Sequence, residues 1–410
     1  MKKLWFLTLG ILVFSCSNND DGDGPIIGND DDGVPLAGII PCENGFADVY
    51  PCSGYDLVGR ISLGSFGASS ANDIWGWTDP STGNEYALVG LNDGTAFVDI
   101  TDSENLILLG TLPTATVSST WRDIKVYQDH AFIVSEAAGH GMQIFDLTRL
   151  RNVTNPPETF TVDARYTGIG NAHNIVINEA TGFAYPVGTA RNDAFNGGVH
   201  FINVQDPQNP IEAGGWGDNG YTHDAQVITY NGPDMDYSGS EIFIGANEDQ
   251  VVLVDITDKD NPEEIATLTY SNIGYTHQGW FTEDQRYFLL GDETDEIMFG
   301  FDSRTIVFDF TDLDNPILHT TYTGTTAAID HNGYVNGDEF WLANYTAGVR
   351  VIDISGIASE TLVEEGFFDT FPANNTAAFN GVWSVYPYFA SGKIIVNDSN
   401  TGLFVIQKSN

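Results

Sequence analysis

Basic residues are scarce in this chain of 410 residues. Lysine and arginine together number 15 against 57 aspartates and glutamates, so the formal net charge is −42. Such a surface repels phosphate backbones and anionic headgroups, which excludes nucleic acid as a partner and membrane binding through charge. The acidic excess favours solubility and attracts divalent cations, although it identifies no ligand by itself.

Cysteine is also rare, with only Cys16, Cys42 and Cys52 present. So few thiols make a zinc site built from cysteines improbable. Cys42 and Cys52 are separated by nine residues just before the first strand of the globular region, and in an exported protein this arrangement predicts one disulfide.

Long hydrophobic runs are absent, and the longest apolar stretch, residues 4–14, is too short to span a bilayer as a helix. It follows the basic start Met1-Lys2-Lys3 and leads into Val13-Phe14-Ser15-Cys16, which resembles a bacterial lipobox. The sequence therefore predicts a lipoprotein signal peptide at 1–15 and a lipid on Cys16, with a plain signal peptide as the alternative. Removing the signal also removes Lys2 and Lys3, so the charge becomes −42 − 2 = −44.

Residues 17–33 are rich in Asp, Asn and Gly and are predicted to be a solvated tether, which we delimit as 16–41. A calcium loop is disfavoured because the distal Glu of an EF-hand is missing. An acidic run directly after the lipidated cysteine is similar to the export signals of surface lipoproteins in the Bacteroidetes group. We therefore expect attachment to the outer membrane by the lipid alone, with exposure at the cell surface.

The region 42–410 lacks a convincing helical period and instead contains a repeat. A small residue, a β-branched and aromatic run and a polar residue return seven times, at 94–101, 141–148, 198–205, 250–257, 304–311, 348–355 and 402–409. The polar positions are Asp99, Asp146, Asn203, Asp255, Asp309, Asp353 and Gln407. A period of about fifty residues with four short strands per copy predicts an all-β, seven-bladed β-propeller of four-stranded antiparallel blades.

The two ends of the repeat region complement each other. Residues 55–63 look like a fourth strand without the first three, and residues 383–406 look like three strands without a fourth. Pairing them completes the seventh blade and removes two open sheet edges. The sequence thus predicts a single closed propeller domain that functions as a monomer.

The starts of the innermost strands carry the most informative side chains. Four consecutive repeats place a histidine there, and most repeats place an acid or amide beside it. The histidines are His173, His223, His277 and His331, and the neighbouring polar residues are Asp73, Asp123, Asn174, Asp224, Gln278 and Asn332. Loops between the second and third strands reach the same face and add Glu136, His140, Glu248, Asp292 and Glu293.

These residues predict a polar mouth at one end of the central channel. Neutral imidazole with carboxylate suits zinc, manganese or iron, and carboxylate with amide oxygen suits calcium, so one divalent metal ion is a candidate cofactor. The four histidines are equally consistent with inherited groups that hydrogen-bond between blades. The tryptophans of the first strands suit either stacking on a ligand or packing between blades.

The sequence resembles the choice-of-anchor B proteins, which are built from repeats of the LVIVD type. The resemblance covers nearly the whole chain after the signal and is carried by residues 42–52, 72–77, 121–126 and 140–150, which read CENGFADVYPC, NDIWGW, WRDIKV and HGMQIFDLTRL. It implies a surface propeller with a lipid at the N-terminus. It implies no established activity and no catalytic residues.

Three functions remain open after this reading. The first is a surface lipoprotein that binds an extracellular ligand or protein at the mouth. The second is a metal-dependent hydrolase or lyase at the same place, with Glu136, Glu248 or Glu293 as general base. The third is a structural adhesion module. No G-x-S-x-G elbow supports a serine nucleophile.

Overall fold

The computed structural model describes residues 36–409, which form a seven-bladed β-propeller, as the repeat predicted. Each blade is an antiparallel sheet in which one strand lies innermost. Each innermost strand contacts those of the two adjacent blades, and the innermost strand of blade 7 contacts that of blade 1, so the ring is closed. The predicted signal peptide, the lipidated Cys16 and the tether up to residue 35 lie outside the described residues.

The first four blades take their strands consecutively from the chain, innermost strand first. Blade 1 contains Ala71–Thr78, Glu85–Leu91, Gly94–Asp99 and Ile107–Pro113. Blade 2 contains Arg122–Tyr127, His130–Ser135, Met142–Asp146 and Ala164–Tyr166. Blade 3 contains Asn174–Asn178, Phe183–Val187, Val199–Asn203 and Ile211–Trp216. Blade 4 contains Asp224–Thr229, Glu241–Ala246, Val251–Asp255 and Glu263–Leu268.

The remaining blades follow the same order, except that the last one combines both ends of the domain. Blade 5 contains Thr276–Phe281, Tyr287–Asp292, Arg304–Asp309 and Ile317–Thr323. Blade 6 contains Gly333–Asn336, Glu339–Ala343, Val349–Asp353 and Val363–Phe368. Blade 7 contains Val382–Tyr386, Lys393–Asp398, Gly402–Lys408 and Tyr55–Ser62.

Blade 7 confirms the predicted closure. Strand Tyr55–Ser62 pairs antiparallel with Gly402–Lys408, with Ser62 opposite Gly402 and Tyr55 opposite Lys408. The N-terminal strand therefore covers the edge that the C-terminal strand would otherwise expose.

Three blades carry additional strands on their outer edges. Leu36–Ile40 pairs with Tyr55–Ser62 on blade 7, Tyr50–Ser53 pairs with the outer strand of blade 6 and with the short strand Phe46–Ala47, and Glu158–Thr159 runs parallel to the outer strand of blade 1. Residues 36–40 thus pair with the sheet of blade 7, although the sequence analysis assigned them to the tether 16–41. The physical reason is that the outer strand of blade 7 leaves backbone groups free, and residues 36–40 pair with them.

The predicted disulfide between Cys42 and Cys52 is present, with Cα atoms 6.0 Å apart. Cys52 belongs to the extra strand on blade 6, opposite Phe368. The backbone N–H of Cys42 donates a hydrogen bond to Asp56 at the start of the closing strand. The bridge therefore holds the entry of the chain at the junction of blades 6 and 7.

The repeated third-strand phrase is explained by burial on both faces of the blade. Val251–Asp255 is buried except at its last residue, and Leu253 packs with Phe281, Phe288 and Phe308 of blade 5. Several copies of the phrase begin with glycine because the backbone at the start of the third strand has a positive φ, in the left-handed region. At Gly348 and Gly402, φ is 78° and 105°, and a Cβ atom would lie 2.3 Å and 2.5 Å from a carbonyl oxygen of the outer strand.

The recurring polar residue at the end of the phrase is a turn-forming group. The side-chain oxygens of Asp99, Asp255 and Asp353 each accept the backbone N–H two residues later, at 2.8–2.9 Å. In the described region, the helices are short: Leu63–Phe66 and Asp295–Phe299 are α-helical, and Leu147–Asn152, Met235–Tyr237 and Ile357–Ser359 are 3₁₀-helical. A helix long and apolar enough to cross a membrane does not occur between residues 36 and 409.

Candidate functional site

The four predicted histidines lie side by side at one end of the central channel. Their ring centroids are separated by 4.1 Å between His173 and His223, 4.4 Å between His223 and His277, and 4.4 Å between His277 and His331. Each histidine lies within two residues of the start of the innermost strand of its blade, and equivalent positions on blades 3 to 6 bring the imidazoles together. We call these four residues the histidine arc, and this end of the channel the mouth.

Glutamates from the second-to-third-strand loops of blades 2 and 5 meet the arc at two places. Nδ1 of His173 donates a hydrogen bond of 2.6 Å to Glu136. The Glu293 carboxylate lies 3.6 Å from Nε2 of His277 and 3.5 Å from Nε2 of His331, and it accepts a 3.1 Å hydrogen bond from the Tyr345 hydroxyl. Two of the three candidate general bases therefore contact the arc.

The surroundings of the arc shift the pKa values of its histidines in opposite directions. Burial lowers the pKa of His223 and His277 well below the usual value, with repulsion among the imidazoles adding to the effect, and it lowers the pKa of His331 to about 3. Burial opposes the charge of His173 too, but the Glu136 carboxylate outweighs it and raises the pKa of His173. Burial also raises the pKa of Glu293 to about 7.

The middle of the arc has the donor set of a transition-metal site. One ligand atom each from His223, His277 and Glu293 lies within 4.8 Å of the others. Nδ1 of His331 donates to the Trp383 carbonyl at 2.5 Å, which leaves the lone pair of His331 on Nε2, the nitrogen near Glu293. Nδ1 of His277 is buried and has no hydrogen-bond partner among residues 36–409. Neutral imidazoles beside a carboxylate can coordinate zinc, manganese or iron.

Aromatic and charged side chains form the rim above the arc. The third candidate base, Glu248, is held by Arg191 through two hydrogen bonds of 2.8 Å and 2.7 Å rather than by a histidine. The Arg191 guanidinium lies 3.9 Å from the ring centroid of Tyr221, and Tyr275 meets His223 edge-on at 5.1 Å. Neither tyrosine was predicted as a site residue, although each stands two residues before a histidine of the arc.

The predicted aspartates lie one residue further along the innermost strands and are buried. Asp123 accepts a 2.6 Å hydrogen bond from Lys125 and one of 2.8 Å from the backbone of Ile175 on blade 3. Burial and the charge of Asp123 raise the pKa of Asp73 well above its usual range and that of Asp224 to about 7. These aspartates bind backbone groups and Lys125, so they support the channel wall below the arc.

The amides at equivalent positions have mixed roles. Gln278 donates to and accepts from the backbone of Gly333 at 3.1 Å and 2.9 Å, which joins blades 5 and 6. Asn174 and Asn332 are buried beside their histidines, and the side-chain oxygen of Asn332 has no partner within the described chain.

Two predicted residues lie apart from the arc. His140 accepts a hydrogen bond from Arg122 at 3.2 Å and donates to the carbonyl of Gly141 at 3.0 Å. Asp292 accepts hydrogen bonds of 2.7–2.8 Å from the Tyr270 hydroxyl and from the backbone N–H groups of Gly274 and Tyr275. Both are fully buried, and their contacts are those of residues that hold the fold together.

The channel changes character along the innermost strands, away from the arc. A cavity of about 160 Å³ there is lined by Trp75, Lys125, Trp280 and Tyr388, among others. Lys125 lies 4.5 Å from the ring of Trp75, and Tyr334 contacts both tryptophans at 5.8 Å and 5.0 Å. The first-strand tryptophans Trp75 and Trp280 thus pack among the aromatic residues Tyr334, Tyr386 and Tyr388.

Comparison with known proteins gives structural relatives only. No family model matches the chain, and no curated protein matches it. A protein from Lactobacillus plantarum superposes with a TM-score of 0.50 at 13% identity, covering 80% of this chain and 88% of its own. A candidate 6-phosphogluconolactonase from Bacteroides fragilis gives 0.52 at 11%, covering 80% and 88%. The C-terminal WD40 domain of Sif2 gives 0.52 at 10%, covering 83% and 97%. At these identities the likeness establishes the β-propeller fold and nothing about activity.

Proposed function

We propose that this protein is a ligand-binding β-propeller whose site is the mouth and whose binding group is one divalent transition-metal ion. The observation that supports this proposal is the donor set of His223, His277 and Glu293, whose ligand atoms lie within 4.8 Å of one another. Zinc is the first candidate and manganese or iron the next, since two imidazoles and one carboxylate suit each of them.

The surroundings of the donors fit such a site. Burial keeps His223 and His277 neutral, and a neutral imidazole is the form that coordinates a metal. Three protein ligands leave at least one position of a zinc ion open, and an external group can occupy it. The ligand would be an extracellular molecule or protein segment that presents a carboxylate or a similar donor to the ion.

The rim provides the remaining contacts in this proposal. Tyr221 and Tyr275 are partly exposed and offer ring faces and hydroxyl groups, and the half-exposed Phe379 packs against the buried Tyr345 at 5.6 Å. Arg191 places a cation at the rim of an otherwise acidic molecule. Aromatic rings with a few charged groups are a common composition of binding sites.

The location of the protein is part of the proposal. We infer a surface lipoprotein of the choice-of-anchor B type, attached to the outer membrane through a lipid on Cys16 and otherwise free of the membrane. The lipobox-like segment and the acidic stretch after it support this inference. We further infer a monomer, since the ring closes within one chain through the pairing of Tyr55–Ser62 with Gly402–Lys408.

Catalysis is the second candidate function. The position of Glu136, hydrogen-bonded to His173 of the arc, favours it. If Glu293 is a metal ligand and Glu248 is bound to Arg191, Glu136 is the carboxylate left to act as general base beside the arc. Its hydrogen bond with His173 is the contact a hydrolase or lyase would use to hold that base in place. A purely structural adhesion module would need none of these groups.

Calorimetric titration of the protein, previously stripped with EDTA, with zinc and manganese tests the proposal. We expect one site per chain, and we expect the double variant His223→Ala/His277→Ala to lose at least about a hundredfold in affinity. Glu293→Gln should also weaken binding. His130→Ala, a histidine of blade 2 away from the arc, is the matched control and should bind as the unmodified protein does. A protein that binds neither ion, or a double variant that binds both normally, refutes the proposal.

A further inference from the structure

A second group of acidic side chains lies outside the histidine arc, between blades 5 and 6. Asp295 and Glu296 begin the short helix Asp295–Phe299, and Asp330 stands in the loop before the innermost strand of blade 6. All three residues are buried, with exposures of 0%, 3% and 0%, and one carboxylate oxygen from each lies within 4.8 Å of the others. We call these three residues the buried carboxylate cluster.

Most oxygens of the cluster lack hydrogen-bond donors. Within residues 36–409, Oδ1 of Asp295, Oε2 of Glu296 and both carboxylate oxygens of Asp330 accept no hydrogen bond from a donor group. Instead, the carboxyl group of Asp330 faces that of Glu296. A buried carboxylate oxygen without a donor is costly, and four of them in one place require a compensating group.

The neighbouring Asp292 shows that this part of the fold can satisfy a buried carboxylate. Asp292 is also fully buried, yet it accepts hydrogen bonds from the hydroxyl of Tyr270 and the backbone N–H groups of Gly274 and Tyr275. Asp292 thus has hydrogen-bond donors around it, whereas four carboxylate oxygens of the cluster, a few residues away, have none within residues 36–409.

The negative charge of the cluster is also not balanced by neighbouring cations. Arg304 forms an ion pair with Asp295 at 2.5 Å, so three carboxylates and one guanidinium sum to −3 + 1 = −2, and Asp292 adds to this excess. The cluster must therefore hold either protons or a cation.

We propose that Asp295, Glu296 and Asp330 bind one calcium ion. A calcium ion would supply the two positive charges and would contact the oxygens that lack donors. The donors are all carboxylate oxygens, which hard cations prefer, and the cluster includes no imidazole or thiolate that would select zinc or copper. Calcium fits better than magnesium because magnesium usually retains several waters, for which a buried cluster has little room.

The proposed ion would connect two segments that carry mouth residues. Asp330 is followed directly by His331, and Asp295 comes two residues after Glu293. By linking the helix start on blade 5 with the loop of blade 6, calcium would fix the positions of Glu293 and His331. This role does not depend on whether the mouth itself binds a metal.

Thermal unfolding of the full chain with EDTA, with calcium and with magnesium is the first test, together with mass-spectrometric measurement of bound calcium. We expect one calcium per chain and, at a calcium concentration of a hundred times Kd, a rise in Tm of about 3–4 °C that magnesium does not reproduce. An unmodified protein without this calcium effect overturns the proposal, whatever the variants do.

The variants locate the ion. Asp330→Asn and Glu296→Gln should each abolish the rise in Tm, and the second variant serves if the first does not fold. Asp314→Asn, in the exposed acidic group with Asp234 and Asp312, removes the same charge and should retain the full rise. The mouth variant His223→Ala/His277→Ala should retain it as well, so failure here is distinguishable from failure of the mouth proposal. If Asp330→Asn keeps the calcium response, or if the mouth variant loses it, the cluster is not the site.

Discussion

Arg151 donates two hydrogen bonds of 2.6 Å, from Nε and Nη2, to the two carboxylate oxygens of Asp79. Asp79 follows the innermost strand of blade 1 and is fully buried, while Arg151 lies in the 3₁₀-helix Leu147–Asn152 after the third strand of blade 2. The pair therefore ties blades 1 and 2 together. The hydrogen bonds from Arg151 outweigh burial and lower the pKa of Asp79 to about 2.

Asp79→Asn should destabilise the protein in a pH-dependent way. Because the folded state lowers the pKa of Asp79, the carboxylate contributes stability above its usual pKa of 3.8, and this contribution is lost as the pH falls towards 2. We expect a loss of about 1–2 kcal/mol at pH 7, since the arginine is partly exposed to solvent. Urea unfolding of both proteins at pH 7, 4 and 2.5 measures the difference, which should shrink with acidification. A constant difference across this range would contradict the assignment.

Removing the C-terminal strand should abolish cooperative folding. Deleting residues 401–410 removes Gly402–Lys408 and exposes the edges of Tyr55–Ser62 and Lys393–Asp398, so blade 7 is left in two unconnected halves. Circular dichroism should show a broad melt or none. Deleting only 409–410 removes two hydrogen bonds of Ser409 and is the control, which should melt close to the full chain. A sharp, unshifted melt for the long deletion would contradict closure by strand pairing.

Breaking the disulfide should weaken the fold without disturbing the mouth. Cys42 and Cys52 close a short loop with a sequence separation of 10, and a loop of this length corresponds to about 2–3 kcal/mol of unfolded-state entropy. We expect Cys42→Ser/Cys52→Ser to lower the free energy of unfolding by up to this amount while zinc affinity stays the same. Treating the unmodified protein with a reductant should produce the same shift, and a loss of zinc affinity instead would mean that the bridge supports the site.

The fold was predictable because each copy of the sequence repeat corresponds to one blade. The third-strand phrase reflects burial on both faces, and its polar end reflects a turn, so each copy specifies the same unit. The histidine arc followed from the same register, since equivalent positions such as His223 and His277 must lie at equal depth. The extra strand Leu36–Ile40 could not be predicted, because its pairing with the closing strand depends on a contact between outer edges that leaves no periodic pattern.

The site was harder to predict because neighbouring residues in one loop have different surroundings. His331 reaches the mouth, while Asp330, one residue earlier, joins Glu296 in the buried carboxylate cluster. Sequence spacing places both residues at the same end of blade 6 and cannot separate these roles. His140 is a different case. It belongs to a polar loop that was predicted to reach the mouth, but its side chain is buried and bonds to Arg122 and Gly141.

His140→Ala should reduce stability and leave metal binding unchanged, which separates this residue from the arc. The imidazole accepts a hydrogen bond from the buried Arg122, whose guanidinium also bonds to the Leu91 carbonyl and to Thr114 on blade 1. Truncation removes one of these partners and leaves a cavity, so we expect a cost of about 2–3 kcal/mol at pH 7. His223→Ala/His277→Ala is the comparison, and it should lose zinc binding with a smaller effect on blades 1 and 2.

The pH dependence of this cost provides a second check on the same residue. Burial and the charge of Arg122 lower the pKa of His140 to about 4, so the unfolded chain binds a proton at this position between about pH 6.5 and 4 while the folded protein does not. The stability that His140 contributes therefore falls as the pH drops through this window, and His140→Ala should cost less at pH 4.5 than at pH 7.5. Urea unfolding and zinc titration of the variant at pH 7.5, with unfolding repeated at pH 4.5, measure both effects. If the variant is as stable as the unmodified protein but no longer binds zinc, His140 belongs to the binding site, and the arc alone does not define the mouth.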